Sequence, residues 1–224
     1  MSKNAKPAPT LAVERTELSQ HSLVGGVDEV GRGALAGPVC VGIVVVGPNT
    51  EAPPSGLRDS KELSATRRAA LVPAITDWAE GFALGWSGPR EIDQYGIVSA
   101  LQRAGLRALA GLRNQPTRVI LDGSHDWLTN PQTLFTPLSD PPQTSVLTLV
   151  KADQTCASVA AASVLAKVAR DRLMVEADSA YPQFGFRTNK GYGTLAHRTA
   201  LARQGLSPLH RASWALLKDE KTEV

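Results

Sequence analysis

With 224 residues, 42% of them hydrophobic, and a net charge of +3, the chain can bury a full core in one domain and is neither disordered nor fibrous. No run approaches the roughly 18 apolar residues of a membrane span, and the opening MSKNAKPAPT lacks the apolar stretch of a secretory signal, so a cytoplasmic address is expected. Two cysteines, Cys40 and Cys156, without CxxC spacing, and no cluster of histidines, argue against a disulfide framework and a structural zinc site.

In chain order, residues 1–22 mix Pro, Lys, Asn, Glu and Gln and read as a flexible segment with one short helical pattern at Leu11 to Leu18. Leu23 to Val30 and Val39 to Val46 are Val-rich and suit strands covered on at least one face. The GRGALAG between them is too long for a two-residue hairpin turn, and its glycines leave backbone amides unshielded. After a Pro/Gly loop, Asp59, Ser60 and Lys61 lead into a helix capped by Ser64. Ala79 to Ser87 predicts a third strand, and Ile92 to Leu112 a helix with a stripe including Ile92, Tyr95, Val98, Leu101 and Leu109.

Arg118 to Asp122 predicts a short strand ending in a carboxylate and Gly123. Beyond a loop carrying Pro131, Pro137, Pro141 and Pro142, Ser145 to Val150 reads as a fifth strand, closed by Lys151, Ala152 and Asp153. Thr155 to about Ala180 is the strongest helical pattern, and its alanine-rich start permits close packing on a sheet. The Gly/Pro/aromatic segment YPQFGFRTNKGYG then precedes helical patterns near Leu195 to Gln204 and Ser207 to Leu217. The order predicts a mixed α/β sheet covered by helices, with a basic helical annex.

Asp28/Glu29, Asp122 and Asp153 all fall at or just past strand ends, where open α/β sheets build their sites. Carboxylates gathered there would repel unless divalent cations neutralised them, and a cysteine-free carboxylate set favours Mg²⁺ or Mn²⁺. Two such ions about 4 Å apart support in-line hydrolysis of a phosphodiester. Two difficulties stand. Adjacent residues of a regular strand point to opposite faces, so Asp28 and Glu29 cannot both reach one ion from ideal geometry. Asp59, Asp93, Asp126 and Asp171 are further acids that spacing does not exclude.

From Ser179 to Lys218 there is no Asp or Glu, while Arg187, Lys190, Arg198, Arg203, Arg211 and Lys218 fall there. The segment suits a polyanion partner, most plausibly nucleic acid, or a solvated basic face. His197 and His210 lie in it, suited either to phosphate contact or to an exposed structural role.

GVDEVGRGALAGPVCVGIVV, LRDSKELS, VILDG, KADQTCASVAAASVLAKVARDR and YPQFGFRTNKGYGTLAH together resemble bacterial ribonuclease HII, the type 2 ribonuclease H, in family order over nearly the whole chain. The resemblance implies a ribonuclease H-like fold: a five-stranded mixed sheet flanked by helices in a catalytic domain over 23–180, with a C-terminal basic helical extension over 181–224. It implies Asp28, Glu29, Asp122 and Asp153 as catalytic metal ligands, with Mg²⁺ or Mn²⁺ as cofactor, two ions during catalysis. Gly31, Arg32 and Gly33 would contact the ribonucleotide and its 2′-hydroxyl, Tyr192 would pack at the RNA to DNA junction, and Lys61 and Lys167 would lie near backbone phosphates. The expected substrates are RNA/DNA hybrids and duplex DNA carrying ribonucleotides, bound by a monomer. Type 3 enzymes carry a large N-terminal domain for which the residues before Leu23 leave no room. The rival readings are a metal-dependent DNA nuclease of the same superfamily and a non-catalytic nucleic-acid binding module.

Overall fold

The computed structural model of the chain describes residues 7–129, 143–214 and 216, so the four loop prolines and Lys218 lie outside the described residues. Its strands are β1 (Val24–Val30), β2 (Val39–Val46), β3 (Gly81–Ser87), β4 (Arg118–Asp122) and β5 (Ser145–Leu149), and its helices α1 (Ala12–Glu17), α2 (Ala65–Trp78), α3 (Pro89–Ala110), α4 (Ala152–Thr155), α5 (Ala157–Ala177), α6 (Phe186–Asn189) and α7 (Leu195–Gln204). The sheet order is β3-β2-β1-β4-β5. The first three strands in sequence form an antiparallel meander, and β4 and β5 continue from β1 in parallel. β1 is therefore central, which is why its end can carry a site walled by neighbours on both sides.

Every residue of β2 is buried, as its unbroken Val-rich run requires of a strand covered on both faces. Val24 on β1 packs into the core on the α5 side, and Val27 into the core shared with α3. The alanine-rich half of α5 lies very close to the sheet. A Cβ built on Gly26 would lie 2.3 Å from the backbone of Ser158 and Val159, and one on Gly42 would lie 2.6 Å from the Ala162 carbonyl oxygen. Small residues on both partners bring backbone against backbone, as the sequence pattern suggested.

The N-terminal segment departs from the expectation of flexibility. From Thr10 on it is docked: Thr10 forms an isolated bridge with Cys156, Leu11 and Glu14 are buried, and Glu17 pairs with Arg118 at 2.6 Å. The physical reason lies at the start of α5. Glu14 Oε1 accepts both the Ser158 amide and the Ser158 hydroxyl at 2.8 Å, supplying a partner to a first-turn N–H that the helix itself cannot satisfy.

The C-terminal annex is also tied in rather than laid on. Phe184, Phe186 and Leu201 share a small core with Met174 of α5 and with Leu35 and Ala36 of the loop after β1. His197 and His210 lie inside this annex, 0% and 3% exposed, with their Nε2 atoms 3.0 Å apart. An exposed role for them is thus corrected: the aromatic rings of Phe184 and Phe186 enclose them. The expected helix at Ser207 to Leu217 is, among the described residues, only a short 3-10 turn at Ala212–Trp214. No helix among the described residues is long and apolar enough to cross a membrane.

The closeness of α5 to the sheet predicts that Gly26→Ala destabilises the protein by about 3 kcal/mol, since the added methyl meets backbone rather than a movable side chain. Urea unfolding of the purified variant checks this, and an unchanged midpoint would mean that the helix yields.

Candidate active site

Asp28 lies on β1, 4% exposed, on the side facing α5. The Ser163 hydroxyl hydrogen-bonds it, and Ser163 Oγ lies 2.7 Å from Ser60 Oγ. Its Oδ1 also accepts the Glu29 amide at 2.8 Å. Val27 pairs with Leu121 across the parallel β1/β4 ladder, so the next step along that register brings Asp28 beside Asp122. Burial first, then the charges of Glu29 and Asp122, hold the Asp28 carboxyl well above the ordinary carboxylate range. Glu29 is pushed up by burial and by Asp122, and is partly relieved by Arg32, whose Nη1 is 3.5 Å from Glu29 Oε1. Asp122, at the end of the neighbouring strand, is within electrostatic reach of both acids.

Asp122 ends β4, and its Oδ1 accepts the Ala152 amide at 2.8 Å. Asp153 is buried in the short helix α4, which breaks at Cys156 before α5 begins. Its Oδ2 lies 3.2 Å from Lys61 Nζ, an ammonium that also lowers the Asp28 carboxyl. As they stand, no three His, Cys, Asp or Glu side chains among the described residues converge to hold an ion. The donor chemistry nonetheless fits a hard divalent cation: the acids are oxygen donors, and two of them are held above their ordinary range by burial and by neighbouring carboxylates. The other acids have duties of their own. Asp59 caps the turn at Ser60–Glu62, Asp93 binds the Ala212 and Ser213 amides, Asp126 caps Leu128 and Thr129, and Asp171 pairs with Lys167 and Arg68.

The Gly31, Arg32, Gly33 loop leaves β1 immediately after these acids. Gly31 has φ +89, and a Cβ there would lie 2.1 Å from Arg170 Nε. Gly33 is exposed, and a Cβ on it would meet nothing within 4 Å, so its backbone is open to an approaching group. Beneath the loop lie two fully buried guanidinium groups. Arg211 donates to the carbonyls of Arg32 at 2.7 Å and of Gly31 at 2.6 Å, and also reaches that of Gly37 at 3.1 Å. Arg170 donates to the carbonyls of Pro38, Ala36 and Lys190. Burial, and for Arg211 the neighbouring Arg170, push both below their ordinary range, Arg211 to about 9.

The loop is bound to the KGYG segment as well: the Leu35 and Ala36 amides both donate to the Gly191 carbonyl, at 2.8 and 3.2 Å. Half-buried Tyr192 follows, its ring 5.4 Å from the Arg170 guanidinium and 5.8 Å from Lys167 Nζ. Lys167 is itself held by Asp171 at 2.6 Å, and Lys61 by Asp153, so both expected phosphate contacts sit in ion pairs within the protein. Arg211, counted by sequence among the solvent-facing cations, is instead turned inward, while Arg187, Arg198 and Arg203 are exposed. The roles of Arg170 and Arg211 were missed because their acceptors are main-chain carbonyls. The only available signal was Arg211 following His210 in an acid-free stretch.

The family model for Ribonuclease HII matches residues 25–217. A Ribonuclease HII from Streptomyces avermitilis is 44% identical over 211 residues, spanning 93% of this chain and 84% of the relative. The crystal structure of the ribonuclease H2 from Pyrococcus horikoshii OT3 superposes with a TM-score of 0.68 at 25% identity, covering 87% of this chain and 94% of that one. Bst-RNase HIII, solved in complex with Mn²⁺, gives a TM-score of 0.64 at 22% identity over 96% of this chain and 73% of its own, a likeness of fold. A five-stranded mixed sheet of this order and a match across most of the chain agree: this chain belongs to the ribonuclease HII family.

Proposed function

We propose that the chain is an endoribonuclease that hydrolyses the RNA strand of RNA/DNA duplexes and cuts duplex DNA on the 5′ side of an embedded ribonucleotide, leaving 3′-hydroxyl and 5′-phosphate ends. The observation that carries this reading is the direct succession, at the end of the central strand, of mutually repelling acids and a glycine loop whose backbone is open at Gly33. One element would cut and the next would test the sugar.

Asp28, Glu29, Asp122 and Asp153 would hold divalent cations, Mg²⁺ or Mn²⁺, which when bound activate water and neutralise charge building on the phosphate. The chain's own residues do the rest. Asp28 is fixed by the Ser163 hydroxyl and the Glu29 amide, and Asp122 by the Ala152 amide, so their carboxylates are oriented before substrate arrives. Lys61 compensates charge at Asp153. The 2′-hydroxyl distinguishes a ribonucleotide from a deoxyribonucleotide at a given base, and an exposed glycine backbone can meet it at hydrogen-bond range. Tyr192, backed by Arg170 and Lys167, would pack against the adjoining sugar. Exposed Arg187, Arg198 and Arg203 would attract backbone phosphates, which makes binding salt-sensitive. In this reading residues 23–180 form the catalytic unit, and residues 181–224 complete its substrate loop.

A labelled duplex with a single ribonucleotide should be cut at that position and an all-DNA copy left intact; equal cutting of both would point to a DNA nuclease. Asp122→Asn should lower cleavage by about a thousandfold while duplex binding, followed by mobility shift, stays within about threefold, because a positioned ligand is lost and no phosphate contact is. Gly33→Ala separates folding from recognition. Its methyl meets no protein atom, so thermal stability should be unchanged. Cleavage at the ribonucleotide should nevertheless fall about tenfold or more.

A further inference from the structure

Tyr192 is held at its main-chain carbonyl by a relay through two buried histidines. His197 Nδ1 lies 2.9 Å from the Tyr192 carbonyl oxygen, His197 Nε2 lies 3.0 Å from His210 Nε2, and His210 Nδ1 lies 2.9 Å from both the amide and the hydroxyl of Ser207. The partners fix the protons. An amide N–H only donates, so His210 Nδ1 accepts and its single proton sits on Nε2. That proton is donated to His197 Nε2. His197 therefore carries its own proton on Nδ1 and donates it to the carbonyl oxygen, which only accepts. Both rings are neutral in this arrangement, and an extra proton on either would set N–H against N–H. Their burial disfavours the charged form, in the same direction.

The relay runs from Ser207, beyond α7, to the residue whose ring faces Arg170 and Lys167 on α5. The Tyr192 amide donates to the Asn189 carbonyl at 2.9 Å, and the Thr194 amide reaches the Tyr192 carbonyl at 2.8 Å. These are contacts within the same turn. Asn189 Nδ2 to the Phe184 carbonyl and Arg198 Nε to the Gly193 carbonyl tie the flanks of that turn to the annex, and His197 and His210 are the link that acts on Tyr192 itself. Phe184 and Phe186 pack against the two imidazoles and shield the buried contact between them.

We propose that His197 and His210 are positioning residues for ribonucleotide recognition, their relay from Ser207 to the Tyr192 carbonyl setting where the Tyr192 ring meets the sugar at the junction. This rests on the reading of Tyr192 as the residue that contacts that sugar. Neither histidine touches substrate. The effect belongs to binding of the junction rather than to hydrolysis, and it weighs more on a single ribonucleotide, which offers one junction, than on a continuous RNA strand, which offers many equivalent cutting positions.

The test is steady-state cleavage of a duplex carrying one ribonucleotide and of a continuous RNA/DNA hybrid by wild type, Tyr192→Ala, His197→Phe, His197→Asn and His210→Leu, with the folded fraction read by circular dichroism. His197→Phe should raise KM on the single-ribonucleotide duplex about tenfold, the worth of one buried hydrogen bond, with kcat and cleavage of the hybrid changed less than about threefold. His197→Asn, whose amide nitrogen replaces Nδ1 as a donor, should recover most of that loss. A folded His197→Phe with wild-type selectivity, beside a Tyr192→Ala that has lost it, overturns the proposal and leaves the role of Tyr192 standing. Equal losses on both substrates that track the folded fraction overturn it too. Wild-type selectivity in Tyr192→Ala removes the reading of Tyr192 itself. Should His197→Phe not fold, His210→Leu takes its place, and unchanged selectivity there is decisive against the relay.

Discussion

Two fully buried guanidinium groups sit under the loop that follows the central strand, and the shape of that loop depends on them. Arg170 and Arg211 are 0% exposed, and among the described residues their hydrogen-bond partners are carbonyl oxygens rather than carboxylates. Removing a charge from water is costly unless its donors are satisfied. A guanidinium presents several N–H donors in a rigid plane, and a loop of small residues can turn several carbonyls toward it. The loop takes its shape because that shape satisfies the two arginines, and the arginines tolerate burial because the loop supplies acceptors. Positive φ at Gly31, where a side chain would strike Arg170, follows from the same contact.

This arrangement distributes charge in an orderly way. Acids collect at the strand ends and cations lie beneath the neighbouring loop, and burial pushes Asp28, Glu29, Arg170 and Arg211 toward their neutral forms. Compensation for the acids comes partly from Lys61 and Arg32. A phosphodiester laid across the two regions would meet attraction from the loop side, while on the acid side it needs cations as intermediaries. That asymmetry follows from the fold, because β1 delivers both regions in a single run of residues.

Much of this was legible in the sequence. Val-rich runs placed the strands, the alanine-rich face of α5 predicted its close approach, and the acids expected at strand ends do fall near the end of β1 and at the end of β4. Three things were hidden, each for a physical reason. An acid-free basic segment does not reveal which cations face water, so Arg211 and the two histidines read as surface groups although they are buried. Main-chain acceptors leave no trace in residue identity, so the carbonyl cradle was invisible. The docking of the N-terminal segment rests on contacts between residues far apart in sequence, among them Glu14 meeting the first turn of α5 and Glu17 meeting Arg118, pairings that composition does not mark. Adjacent acids on a strand point to opposite faces, and what the sequence did not show is that Asp122 on the neighbouring strand couples electrostatically to both of them.

Helix α5 touches both halves of the site. Ser163 holds Asp28, and Arg170, two turns later, holds the carbonyls of Ala36 and Pro38. Seven residues at about 1.5 Å each separate those contacts by roughly 10 Å, and an α-helix neither stretches nor slips. In the proposed reading the helix would act as a ruler between the place where a sugar is inspected and the place where a bond is broken. An enzyme built this way would keep a constant offset between recognition and incision on every substrate, whatever the base sequence, because that offset is a length of peptide backbone.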